Sequence, residues 1–291
     1  MPRIQKVLFP VDFSDRRRGA AHYVEALTGR LEAELTLLHI VPSGADYVWM
    51  APEMGPAAAI EVHQHRLAMA RQQLESFLTD ELKHFEVKRV LCEGDPGRQI
   101  VAHAHANQID LIMIPSHGFG PFRRYILGST TAKVLHDAHC PVWTGAHMEQ
   151  APPLEQIECR GIVCAVDFGP QSEAVVHWGA YLAEEYDAVL TLLHAVPGVE
   201  ARPAKYFDQE LTATLASRAN EQMADLIQKT NVNARPNVEA GRPQDVIQSF
   251  CRDQRADLLL IGRGSAGEGG GRLRTHAYSI IRSAPCPVLS V

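Results

Sequence analysis

The sequence predicts an α/β protein made of two doubly wound, five-stranded parallel-sheet domains in tandem. Three observations carry that expectation. Five segments recur in the same order in the two halves of the 291 residues, predicted strands and helices alternate within each half, and several strands are continuously apolar. A chain of this length fits two domains of typical size, roughly 100–200 residues each.

The repeat comes first because it sets the domain count. KVLFPVDFS at 6–14 matches GIVCAVDFG at 161–169, and LTLLHIVP at 35–42 matches LTLLHAVP at 190–197. EGDPGRQIV at 93–101 matches EAGRPQDVI at 239–247 more loosely. IDLIMIPSHG at 109–118 matches ADLLLIGRG at 256–264, and HDAHCPVWT at 136–144 matches RSAPCPVLS at 282–290. Asp12 and Asp167 lie 155 positions apart, as do His39 and His194; Gly94 and Gly241 lie 147 apart, and Cys140 and Cys286 lie 146 apart. The main length change falls in a connection rich in Gly, Pro and Ala (residues 42–59), where two copies of one fold are free to differ. The polar, proline-bearing stretch 145–158 reads as a linker, which gives a first domain over 1–147 and a second over 158–291.

Within the first copy, Val7–Val11 is a short apolar strand. Ser14 is placed to cap a helix that runs to about Leu27, with Gly29 as its stop. Leu35–Val41 is the second strand. Leu67, Ala70, Leu74, Phe77 and Leu78 recur at helical spacing and predict a long helix over 60–82. Phe85–Cys92 is the third strand. Asp95 followed by Pro96 reads as an N-cap and a first-turn proline, opening a helix to about Asn107. Leu111–Ile114, a helix over Ser129–His136 and a final strand Val142–Thr144 complete the copy, and the second copy repeats the order from Ile162 to Val291. Runs such as LIMI and LLLI mark strands buried on both faces, hence parallel, with right-handed crossovers between them.

Composition narrows the function. With 46% hydrophobic and 21% charged residues the chain is an ordinary globular one. A net charge of −6 gives no general attraction to nucleic acid or anionic membrane, so neither is an expected partner and any bound anion needs a local device. The first residues hold no long apolar segment and no apolar run nears the roughly 20 residues of a membrane span, so a cytoplasmic location is expected. Six cysteines are too sparse for a disulfide framework. The paired histidines (His63 with His65, His103 with His105, His136 with His139 beside Cys140) lack a four-ligand spacing, so no metal site is expected. His39 and His194 end apolar strands and read as hydrogen-bonded core histidines. No Walker motif and no GxGxxG after the first strand is present, and Ser116–His117 is not a nucleophile–base pair.

Open parallel sheets bind ligands beyond the carboxyl ends of their strands, where the strand order reverses. Three segments there carry unusual residues: Pro10-Val11-Asp12, His39-Ile40-Val41, and the loop 115–130 that opens a helix. Gly128-Ser129-Thr130 begins that helix, whose N–H groups and positive dipole end suit phosphate. Ser129 and Thr130 either add hydroxyl donors or cap the helix, and Gly118 and Gly128 are alternatively plain turn and cap glycines.

With these residues assembled, the sequence resembles the universal stress protein family in its tandem two-domain form, over nearly the whole chain outside the linker. The family's nucleotide motif is Gly, two residues, Gly, nine residues, Gly, then Ser or Thr. Gly118, nine residues, Gly128 and Ser129 fit it, whereas Pro115 stands at the first glycine. The resemblance implies two Rossmann-like, adenine nucleotide-binding folds, with ATP, with or without magnesium, in the first. It implies Asp12 near the adenosine and Pro10, Val11 and Val41 along the adenine. It further implies Ile114, Pro115, His117 and Gly118 along ribose and phosphates, and Gly128, Ser129 and Thr130 on the phosphates. Pro115 lacks the N–H one contact needs. Arg123 and Arg124 either reach phosphate or face solvent.

In the second copy Arg274 stands where Gly128 stands in the first, so that copy carries a degenerate motif and is expected to hold ATP weakly or not at all. The implied role is a nucleotide-dependent stress or signalling module rather than an enzyme. A slow ATP hydrolase, with Asp12 as its one candidate base, and a nucleotide-free interaction scaffold are the alternatives. The resemblance also implies pairing of the last strands, PVWT and PVLSV, as an intrachain pseudo-dimer, with a homodimer of chains beyond it.

Overall fold

The structure is a computed structural model describing residues 2–45, 55–116, 127–145, 148, 154–197, 207–263 and 275–291. The strands are β1 Lys6–Val11, β2 Glu34–Val41, β3 Val87–Glu93, β4 Leu111–Met113 and β5 Val142–Thr144, followed by β6 Gly161–Ala165, β7 Val189–Val196, β8 Arg235–Ala240, β9 Leu258–Ile261 and β10 Val288–Ser290. The helices are α1 Asp15–Leu31, α2 Gly55–Ser76, α3 Pro96–Ala106 and α4 Ser129–Asp137 in the first half. The second half carries α5 Ser172–Tyr186, α6 Phe207–Thr230, α7 Pro243–Asp253 and α8 Thr275–Ser283.

Each half forms a five-stranded parallel sheet, ordered β3-β2-β1-β4-β5 and β8-β7-β6-β9-β10. The two sheets meet where β5 and β10 pair antiparallel, Trp143 opposite Leu289, and become one ten-stranded sheet. The apolar last strands thus satisfy each other within one chain, as the intrachain pairing expected. Each has a neighbour on both sides, so neither is an open edge for a second chain.

The strands are as apolar as their position requires. Leu8, Leu38, Ile112, Val163 and Leu259 pack toward one layer of helices, while Phe9, Leu37, Leu111, Ile162 and Leu260 pack toward the other. Alternation across a sheet covered on both faces produces this division. Asp95 caps α3 as expected, its carboxylate accepting from Arg98 N at 2.9 Å. Gly94 before it has φ 122, which only glycine adopts without strain.

Gly29 is not the stop of α1. The helix runs on to Leu31, and Glu32 takes the left-handed turn at φ 50. Glycine serves a close approach instead: a Cβ at position 29 would lie 3.2 Å from the Phe85 ring. The long helix also begins and ends earlier than its periodicity suggests, at Ser76, and Leu78 turns the chain at φ 56. The third strand accordingly starts at Val87 rather than Phe85.

Two aspartates fasten the strands. Asp110 Oδ2 accepts from Gln5 N and Lys6 N, both at 2.9 Å, and Asp257 Oδ2 accepts from Arg160 N at 2.8 Å and Gly161 N at 2.9 Å. Each carboxylate satisfies backbone donors at the start of a central strand. Asp257→Ala is expected to lower stability by about 1–2 kcal/mol, because two charge-assisted bonds at a partly exposed site are lost. An unchanged urea midpoint would show that water replaces the carboxylate.

Candidate functional site

In the first half the chain passes from β1 to β2 and β3 on one side, then crosses to β4 and β5 on the other. The order therefore reverses between β1 and β4, which splays the following loops apart. Pro10 and Val11 end β1 and Asp12 follows; Val41 ends β2; Ile114 and Pro115 follow β4; Gly128 caps α4, which Ser129 and Thr130 begin. All of these lie at the carboxyl edge of the sheet. His117 and Gly118, and Arg123, Arg124 and Arg274 with them, fall outside the described residues.

The loop after β1 is a tight unit. Asp12 Oδ1 accepts from Ser14 N at 3.2 Å and from Ser14 Oγ at 2.6 Å. Phe13 holds φ 60, a left-handed conformation costly for a bulky residue. Its ring stacks on His39 with centroids 4.0 Å apart and meets Phe77 edge-on at 5.3 Å. His39 Nδ1 donates to Val11 O at 2.8 Å. Burial lowers the His39 pKa, against the opposing pull of the Val11 carbonyl and the Asp12 carboxylate, which favours the neutral ring. The second half repeats the device: Phe168 at φ 57, its ring 4.3 Å from His194, and His194 Nδ1 on Val166 O at 2.8 Å. Both histidines are the hydrogen-bonded residues that their strand positions suggested. The phenylalanines carried no signal, since a left-handed turn at a non-glycine leaves no mark in a sequence.

The start of α4 is fastened to the end of β4. Gly128 N donates to Ser116 O at 2.9 Å, and the buried Thr131 Oγ1 donates to Pro115 O at 3.0 Å. Gly128 holds the N-cap position, so Ser129 and Thr130 fall in the first turn rather than at the cap. Its φ of −60 and ψ of 144 are open to any residue.

The second half holds a cavity of about 280 Å³ at the equivalent edge, with Val166, Leu193, Ile247 and Ile280 among its walls and Asp167 at its rim. Gly262 lines it where Pro115 stands in the first half, and a Cβ there would lie 2.9 Å from Gln171 Oε1. Asp167 Oδ1 accepts from Gly169 N at 2.9 Å, as Asp12 does from Ser14 N. The sequence had marked this copy as the poorer one, yet its crevice is open among the described residues.

A family model described as the universal stress protein family matches residues 3–144 and again 159–291. The chain belongs to the universal stress protein family. This universal stress protein is 24% identical over 299 residues to one from Mycolicibacterium smegmatis, covering 98% of this chain and 96% of that one. It is 27% identical over 150 residues to universal stress protein MJ0577 of Methanocaldococcus jannaschii, covering 47% of this chain and 92% of the relative. Among solved structures, a protein of unknown function from Pseudomonas aeruginosa PAO1 superposes with a TM-score of 0.67 at 17% identity, covering 99% of this chain and 92% of that one. A universal stress protein from Archaeoglobus fulgidus superposes with a TM-score of 0.64 at 20% identity, covering 99% and 96%. At those identities the likeness bears on fold alone, and the fold it supports is the tandem one. No group of three or more His, Cys, Asp or Glu able to hold a metal occurs among the described residues. No helix among them is long and apolar enough to cross a membrane.

Proposed function

We propose that the first domain, residues 1–147, binds ATP in the crevice between β1 and β4, and that occupancy switches the protein's interactions with its partners in stress signalling. One observation carries this reading. The strand order reverses between β1 and β4, and Pro10, Val11, Val41 and Ile114 end or follow the strands at the sheet edge where α4 begins with Gly128 as its N-cap. Adenine would suit the apolar strand ends, Asp12 is the candidate carboxylate near the adenosine, and the first-turn amides after Gly128 suit phosphate. Magnesium would travel with the triphosphate, held chiefly by phosphate oxygens and water. Calorimetry with ATP and magnesium tests the reading; no heat and no thermal shift at millimolar ATP would refute it.

The second domain, residues 158–291, takes the lesser part. An apolar cavity of about 280 Å³ would admit a nucleoside, but Arg274 stands in the place of the phosphate-turn glycine. A side chain at that position obstructs the close approach a phosphate needs. Native mass spectrometry at modest ATP is expected to show one nucleotide per chain. Two equivalents would restore the second domain to full rank and overturn this division.

A further inference from the structure

Arg263, the second residue past β9, belongs to the second half, yet its side chain ends in the first. Its Nη1 donates to Ala138 O at 2.9 Å and Leu135 O at 3.4 Å, and its Nη2 donates to Cys140 O at 2.8 Å. These carbonyls belong to the last turn of α4 and the residues just beyond it. A helix end leaves such carbonyls without partners and carries a negative dipole end, so a guanidinium fork answers both needs. The backbone of Arg263 is fixed as well, its N–H donating to Val291 O at 2.9 Å.

The two halves differ at this position. Strand register places Ser116 at the corresponding position of the first half, and a serine cannot reach as an arginine does. The second half therefore grips the end of α4 from a position where the first half offers only a serine, while the first half's Arg30 Nε donates to Glu185 O of α5 at 2.6 Å. That helix is nine residues long, about 13 Å, and its other end is the turn Gly128-Ser129-Thr130. A short rigid rod held at its carboxyl end is also aimed at its amino end. We infer that Arg263 is a positioning residue for the phosphate turn of the first domain, so that triphosphate affinity there depends on a side chain supplied by the second domain. This rests on the ATP reading above, and it makes the two domains one binding unit rather than two independent ones.

Arg263→Met keeps an unbranched stem like that of arginine and removes every donor. Titration of the full chain is expected to show ATP affinity falling at least tenfold while adenosine affinity stays within twofold. A merely structural loss would lower both together, and that result overturns the inference, as does an unchanged ATP affinity. Arg263→Lys should recover part of the ATP affinity through a single ammonium, and no recovery beyond Arg263→Met would count against the role of the donors. A ligand-free measurement separates this proposal from the ATP reading. The N–H of Gly128 bonds Ser116 O and that of Ala132 bonds Gly128 O, at 2.9 and 2.8 Å. In Arg263→Met without nucleotide, hydrogen exchange at these two amides should quicken at least tenfold; unchanged exchange refutes the positioning whatever ATP does. If wild type ignores ATP while those amides still respond, the functional reading fails and the positioning stands.

Discussion

Gly128→Val is expected to reduce ATP affinity by at least a hundredfold while the protein still folds. The argument turns on why glycine is there. At φ −60 and ψ 144 the residue sits in the extended region, so no left-handed turn demands it. As an N-cap it is a modest choice, since Ser, Asn or Asp would accept a hydrogen bond from the first turn. Replacing a glycine N-cap by valine therefore costs the helix about 1 kcal/mol or less. The remaining reason for a bare Cα is close approach by something else. If that something is phosphate, a branched side chain displaces it from the N–H groups and forfeits several charge-assisted bonds, each about 1.5–3 kcal/mol. Two such bonds are worth more than the roughly 2.7 kcal/mol that a hundredfold change represents. Circular dichroism and a melting curve establish that the variant is folded, and calorimetry reads the affinity. Unaltered ATP binding in a folded Gly128→Val protein would remove the phosphate turn from the reading.

What the sequence disclosed and what it hid divide by range. The doubling, the alternation of strands and helices and the Asp95 cap were legible because each is written in neighbouring residues or in a repeated string. The pairing of β5 with β10 came from the family resemblance; the residues themselves offered only two short apolar strands of a kind that tends to find partners. The Asp110 and Asp257 fastenings were not, since each carboxylate meets its strand about a hundred residues away. Arg263 is the extreme case: its three acceptors lie 123 to 128 positions back, and its sequence neighbours show only a loop. Gly29 shows how a correct local rule yields to a tertiary one. Glycine does end helices, but here the Phe85 ring needs the room and Glu32 bears the left-handed turn. At the candidate site, Pro10, Val11, Asp12 and Val41 were placed by strand ends, whereas the Phe13–His39 stack required the fold itself.

The second large effect concerns how closely a helix can approach the sheet. Gly179 lies on the buried face of α5, and a Cβ there would fall 2.3 Å from Cys164 Sγ and 3.0 Å from Leu190 Cδ1. The corresponding positions of the first half hold Val24 against Phe9, both fully buried, so the family fold tolerates bulk here when the layers are spaced for it. The second half has chosen small against small and has no slack. Two effects oppose each other in Gly179→Ala. Helix propensity favours alanine by about 1 kcal/mol. Overpacking costs about 1–3 kcal/mol and more where the obstacle is rigid. A 2.3 Å contact with a sulfur on a central strand cannot be relieved by a rotamer change in alanine, so the cost prevails. Net destabilisation of about 2 kcal/mol is expected. Cys164→Ala should restore most of it, because the added methyl then occupies the space the sulfur vacates and only a weak 3.5 Å bond from Cys164 Sγ to Val175 O is lost. A double-mutant cycle in urea should return a coupling of at least about 1.5 kcal/mol, within the range that contacting residues show. Additive effects at the two sites would mean that α5 moves away from the sheet freely, and that the packing of this domain is looser than the contact implies.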